Sequence, residues 1–100
     1  MIDKIKVGIR DYKVETDGSL IGAGLNGSID RNSRIIKILP NDIKDEMIIV
    51  FFHEIWHAIF ADAGRCGEED YGVDEELVDF LALKTLQIFR ENPDLIKYLK

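Results

Sequence analysis

Cysteine is all but missing from this chain. Cys66 is the only one, so no internal disulfide can form, and the usage fits a reducing, cytoplasmic setting. It reads as a loop thiol, with a metal ligand or an inhibitory thiolate as the alternative. Long apolar runs are missing too: the longest, Met47 to Phe52, is far too short to span a bilayer, so no membrane association is expected. The opening Met1-Ile2-Asp3-Lys4-Ile5-Lys6 has neither the apolar core nor the small-residue cleavage site of a secretory leader. Basic residues are in the minority, 13 against 19 acidic, and the net charge of −6 argues against a nucleic-acid partner. Repeats, low-complexity tracts and linkers are absent. The expectation is therefore one domain over 1–100, β-rich over 1–40 and helical over 41–100.

What is present suffices for a core, since 46% of the residues are apolar. Lys4 to Ile9 alternates polar and apolar, with Ile5, Val7 and Ile9 on one side, as a half-buried strand does. Tyr12 to Glu15 resumes the alternation after a break at Arg10-Asp11, which predicts a hairpin. Leu20 to Gly27 carries three glycines and reads as an irregular connection into Gly27-Ser28-Ile29-Asp30. Arg31-Asn32-Ser33 is a tight turn before a strand over Arg34 to Leu39. The fold class expected is α+β: a small antiparallel twisted sheet, then two main helices. The first runs from about Ile43 to Asp62, with Asn41 or Asp42 as N-cap and Gly64 after its end. A loop over Arg65 to Gly72 leads to the second, from Val73 or Asp74 to Arg90 or Glu91, stopped by Asn92-Pro93. Asp94 to Lys100 can add a last short helical turn.

Both histidines of the chain fall in His53-Glu54-Ile55-Trp56-His57 on the first helix. This is H-E-x-x-H, the pattern of zinc peptidases. At about 100° per residue the two imidazoles share one face and can reach one metal ion, while Glu54 stands beside them, free to act on water. From Met47 to Ala61 that helix is apolar almost all round, as a buried spine would be. Two imidazoles and a carboxylate left unpaired there would cost several kcal/mol, a penalty that a bound metal largely removes.

A zinc enzyme usually supplies three protein ligands. No third histidine exists: Ala63 stands where the metzincin pattern would put one, six residues after His57. A carboxylate or Cys66 must complete the set, and the second helix offers Asp74, Glu75, Glu76 and Asp79. With Glu75 as zero, Val78, Ala82, Leu86 and Phe89 fall within roughly 60° of it, and Leu77, Leu81 and Ile88 lie further round the same apolar arc. Glu76 shares its side with Lys84, Gln87, Arg90 and Glu91, which is a solvent face. Glu75 is thus the expected third ligand, with Glu76 as its alternative. Asp79, one turn on, is placed to hydrogen-bond the free nitrogen of a ligand histidine.

His53-Glu54-Ile55-Trp56-His57 followed by Glu75-Glu76-Leu77-Val78-Asp79 resembles the gluzincin metallopeptidases. The small size, Glu76-Leu77-Val78-Asp79-Phe80-Leu81-Ala82, and Leu25 to Asp30 with Ile36-Lys37-Ile38 are similar to compact ImmA/IrrE-like proteins of bacteria and phages. The resemblance covers roughly residues 25 to 92. It implies a cytoplasmic zinc metalloendopeptidase with one Zn2+ per chain, which cuts a peptide or protein substrate such as a regulatory protein. In that reading Glu54 is the general base, and an edge strand near Gly27 to Asp30 holds the substrate by strand addition. Gly24 and Gly27 then either admit a peptide backbone or mark turns and bulges. Tyr71 and Arg65, in the loop between the ligands, are the candidate oxyanion stabilisers. The competing reading is a peptidase-like interaction module whose zinc site is structural or vestigial.

Overall fold

Strand β2 (Arg10–Thr16) shows how the sheet is specified: Tyr12 and Val14 turn inward and are buried, while Asp11 and Lys13 face water. The computed structural model describes residues 2–64 and 75–100. Around β2 stand β1 (Lys4–Val7), β3 (Gly27–Asp30) and β4 (Ile35–Ile38), followed by the helices α1 (Lys44–Asp62), α2 (Glu75–Glu91) and α3 (Leu95–Leu99). The architecture is α+β, a four-stranded sheet followed by helices.

The sheet order is β1-β2-β4-β3, and here the expectation of an antiparallel sheet needs correction. β1 pairs with β2, and β3 with β4, in antiparallel fashion, but β2 and β4 run parallel. The connection after β2 explains this. A 3-10 helix (Gly18–Ala23) carries the chain past the place beside β2 and into β3 at the sheet edge. The β3–β4 hairpin then folds back and inserts β4 between β2 and β3. That 3-10 helix replaces the expected irregular connection. The Asp17 side chain accepts the Ser19 amide N–H at 2.9 Å to start it, and Gly24 ends it at φ +70°.

The first hairpin turns earlier than its apolar pattern suggests. Val7 pairs with Arg10, so Gly8 and Ile9 form a two-residue turn in which Gly8 takes φ +62°. Ile9 is consequently 83% exposed rather than part of the strand face.

Ile29, Ile36 and Val14 are register partners across β3, β4 and β2, and this row packs under α1. Tyr12, Ile36 and Ile38 from the sheet and Phe51 and Ala58 from α1 form the centre of the core. The N-cap of α1 is Ile43 rather than Asn41 or Asp42, and its side chain makes no capping hydrogen bond. Asn41 spends its amide oxygen instead on the Ile43 N–H, at 2.7 Å. Gly64 follows the C-cap at φ +80°, the left-handed ending its position suggests.

The spine expectation for α1 also needs revision. Only Phe51, Glu54 and Ala58 are fully buried, because the sheet covers one side and α2 another, leaving the third partly open. α2 packs through Val78 and Ala82, both 0% exposed, while Leu77, Ile88 and Phe89 stand partly in solvent. The two helices run antiparallel. Arg90 at the end of α2 donates two hydrogen bonds to Asp45 at the start of α1, at 2.7 and 2.9 Å. Phe52 stacks on Phe89, and the Trp56 indole N–H donates to Thr85 Oγ1 at 3.0 Å. No helix among the described residues is long and apolar enough to cross a membrane.

Candidate metal centre

The helical period sets the two halves of the site before any packing is considered. On α1, His53 and His57 are one turn apart, and their Nε2 atoms lie 3.2 Å from each other. On α2, Glu75 and Asp79 are one turn apart. The antiparallel α1–α2 pairing then brings the halves together. The Glu75 carboxylate meets His53 Nε2 at 2.8 Å with one oxygen and His57 Nε2 at 3.1 Å with the other. Asp79 Oδ1 lies 2.8 Å from His53 Nδ1. Glu76 is outside this group, whose members are His53, His57 and Glu75.

The proton inventory of the group is informative. Asp79 Oδ1 stands at hydrogen-bond distance from His53 Nδ1, and the other ring nitrogen, Nε2, is directed at Glu75. Burial holds the His57 imidazole below the ordinary histidine value, an effect larger than the opposing attraction of Glu75, and so favours its neutral form. Nε2 of both imidazoles and both carboxylate oxygens therefore face a common point. Such a set repels itself unless a proton or a cation lies among its members. Two nitrogens at corners of a tetrahedron with bonds of about 2.0–2.1 Å sit about 3.3 Å apart, close to the separation seen between His53 and His57. Two imidazoles and one carboxylate also suit zinc chemically. The residues fit the ion.

Glu54 is the buried member. It is 5% exposed, and its Oε1 lies 3.9 Å from His53 Nε2. Burial raises its carboxyl from the ordinary 4.5 to about 7, against the attraction of His53 and with some help from the Glu75 charge. β3 contributes to the burial, since a Cβ at Gly27 would stand 3.4 Å from Glu54 Cγ.

These groups floor a cleft of about 550 Å3, walled by Gly24 to Ile29 and by Arg31. Among the described residues β3 is an edge strand, with β4 on one side only, and residues of β3 line the cleft. A second hollow of about 450 Å3 lies near the start of α1, among Ile2, Met47, Ile48 and Phe51, but its lining contains no histidine. Chemistry rather than volume distinguishes the two.

Of the other sequence candidates, Tyr71, Arg65, Cys66 and Asp74 lie outside the described residues. At Gly27 the space a side chain would need is taken by Val50 and Glu54 of α1, so the missing side chain serves the packing of β3 on that helix. Gly24 ends the 3-10 helix, with open space around it. Arg31 is the residue missed. Its sequence context is an ordinary turn, and only the strand order places that turn beside His57. The chain matches no protein-family profile, no curated protein and no solved structure.

Proposed function

We propose that this chain is a zinc-dependent peptidase of gluzincin type. One observation carries the reading. Lone-pair donors from His53, His57 and Glu75 converge at about 3 Å from one another beside a buried carboxylate whose proton affinity sits near neutrality. A zinc ion held by these three residues would supply Lewis acidity and make water easier to deprotonate at neutral pH.

The remaining chemistry belongs to side chains of the chain itself. Glu54 takes the proton of the attacking water and returns it to the departing amine, a task that suits a carboxyl with a pKa near the working pH. Asp79 holds His53 by its Nδ1–H and fixes the direction in which Nε2 points. Among the described residues β3 pairs with β4 alone, which leaves its other edge for an extended peptide to join as an added strand. The solitary cysteine supports a cytoplasmic setting, and the net charge of −6 supports a peptide rather than a nucleic acid as substrate.

The interaction-module reading draws on a different observation. Phe80 and Ile88 on α2 are 55% and 52% exposed, more than a monomer needs from one helix. Two measurements separate the readings. Purified protein offered zinc should hold one equivalent, and it should hydrolyse a mixed peptide pool at a rate that Glu54→Gln lowers by at least about 100-fold. Absence of stoichiometric zinc removes the enzyme reading. Zinc retention with identical peptide turnover in Glu54→Gln favours the module.

A further inference from the structure

Among the described residues, Arg31 is the cation that lines the cleft. It lines the same hollow as His53, Glu54, His57 and Glu75. Its backbone is held by the turn between β3 and β4, where Asp30 Oδ1 accepts the amide N–H groups of Asn32 at 2.9 Å and Ser33 at 3.2 Å. Asp30 is thereby occupied with the backbone. Among the described residues no carboxylate pairs with Arg31, in a chain that carries 19 acidic side chains. A guanidinium without a carboxylate partner among the described residues, at the side of the cleft, has five N–H donors to offer a ligand.

We infer that Arg31 is a specificity-determining residue that selects peptides bearing a carboxylate close to the bond presented to Glu54. This rests on the peptidase reading and names its substrate class. The register follows from the strand. Gly27 lies against Glu54, and Arg31 is four residues further along, about 13 Å at strand rise. A peptide laid beside β3 advances at the same rise, and the length of the arginine side chain shortens the span. The carboxylate therefore falls two or three residues from the scissile bond. Two sources present this chemistry, an internal Asp or Glu side chain and a free C-terminus.

The test reads binding, so that it stays distinct from turnover. Zinc-loaded Glu54→Gln protein is titrated into fluorescent peptides of one parent sequence with amidated ends, in which Glu or Gln is placed in turn at each position. A second pair compares the free-acid with the amidated C-terminus. Glu at one position should tighten binding about tenfold over Gln, an advantage that shrinks as ionic strength rises. Adding Arg31→Gln should erase that preference, and Arg31→Glu should reverse it. If the free-acid pair alone shows the difference, the carboxylate recognised is the terminal one. Equal affinities for all pairs, an undiminished preference in Arg31→Gln, or no peptide binding at all each overturns the assignment. Zinc stoichiometry and the hydrolysis assay report separately on the peptidase reading.

Discussion

Gly27 of β3 lies directly on Glu54 of α1: a Cβ at Gly27 would stand 3.4 Å from Glu54 Cγ and 2.6 Å from Val50 Cγ1. The missing side chain lets the edge strand settle onto the helix and exclude water from the carboxyl. Gly27→Ala should therefore do two things. It should destabilise the fold by about 1–3 kcal/mol, the usual cost of inserting a methyl group into packed structure, because Val50 or β3 must move. It should also readmit water to Glu54 and bring the carboxyl back towards its ordinary value. Urea denaturation measures the first effect, and NMR titration of the Glu54 carboxyl carbon the second. A stable variant with an unchanged Glu54 titration would contradict the close approach.

Metal-free protein should lose stability as pH rises across neutrality. Glu54 has a folded-state pKa of about 7 against an ordinary 4.5, so the folded chain holds this proton more tightly than the unfolded chain does. Its contribution is fully present below the ordinary value and is lost as pH rises through about 7, on the order of 3 kcal/mol. His57 works in the opposite sense. Its depressed value means that stability from the neutral ring is present above the ordinary 6.5 and is lost as pH falls. Glu54→Gln abolishes the first dependence and leaves the second. Denaturation of chelator-treated protein from about pH 5 to about pH 8 should show wild type losing ground to Glu54→Gln throughout. Parallel curves would refute it.

Zinc removal should act on the fold as well as on activity. The three candidate ligands come from two helices, so a bound ion would join α1 to α2 at the end opposite the Asp45–Arg90 pair. That pair is half exposed and adds little by itself. An ion present at about 100 times its dissociation constant stabilises the bound form by about 2.7 kcal/mol, or ~10–20 °C in melting temperature for a domain of this size. A chelator should lower the melting temperature of wild type by about that amount and leave His53→Ala unmoved. Equal melting temperatures with and without chelator would exclude a bound ion.

The parts of this arrangement that sequence makes legible are those set by local period. His53 with His57, Glu75 with Asp79, and the inward direction of Val78 and Ala82 all follow from 3.6 residues per turn once the helices are recognised. What escapes is whatever depends on the order of the strands. The parallel β2–β4 pairing is not written in either strand, because alternation gives a face but not a neighbour. Arg31 and Gly27 belong to this second class: each looks like turn chemistry until β3 is known to border α1. Ile9 fails for a different reason. Its place in the alternation suggests a strand, but the left-handed conformation available to Gly8 ends that strand two residues earlier. The openness of one side of α1 was equally unreadable, since an apolar surface shows what can be buried and not whether anything covers it.

Asp79 tests whether the site is tuned beyond its three converging residues. Its side chain is 71% exposed, and its contact with the core of the site is the 2.8 Å hydrogen bond to His53 Nδ1. Exposure at that level means that Asp79→Asn and Asp79→Ala should each change the stability of the metal-free chain by no more than about 0.5 kcal/mol. Zinc affinity should respond quite differently. The carboxylate holds the ring by its Nδ1 edge and so fixes the direction of Nε2. Losing such a partner typically costs about 10–100-fold in affinity. Asp79→Asn keeps a neutral acceptor for the same N–H and so should lose less than Asp79→Ala. Competition against a chromophoric chelator gives the affinities, and thermal unfolding of the metal-free proteins gives the control. A graded loss of affinity with level melting temperatures identifies a positioning role. If both variants bind zinc as tightly as wild type, the hydrogen bond is incidental, and His53 must be held by its packing on α1 alone.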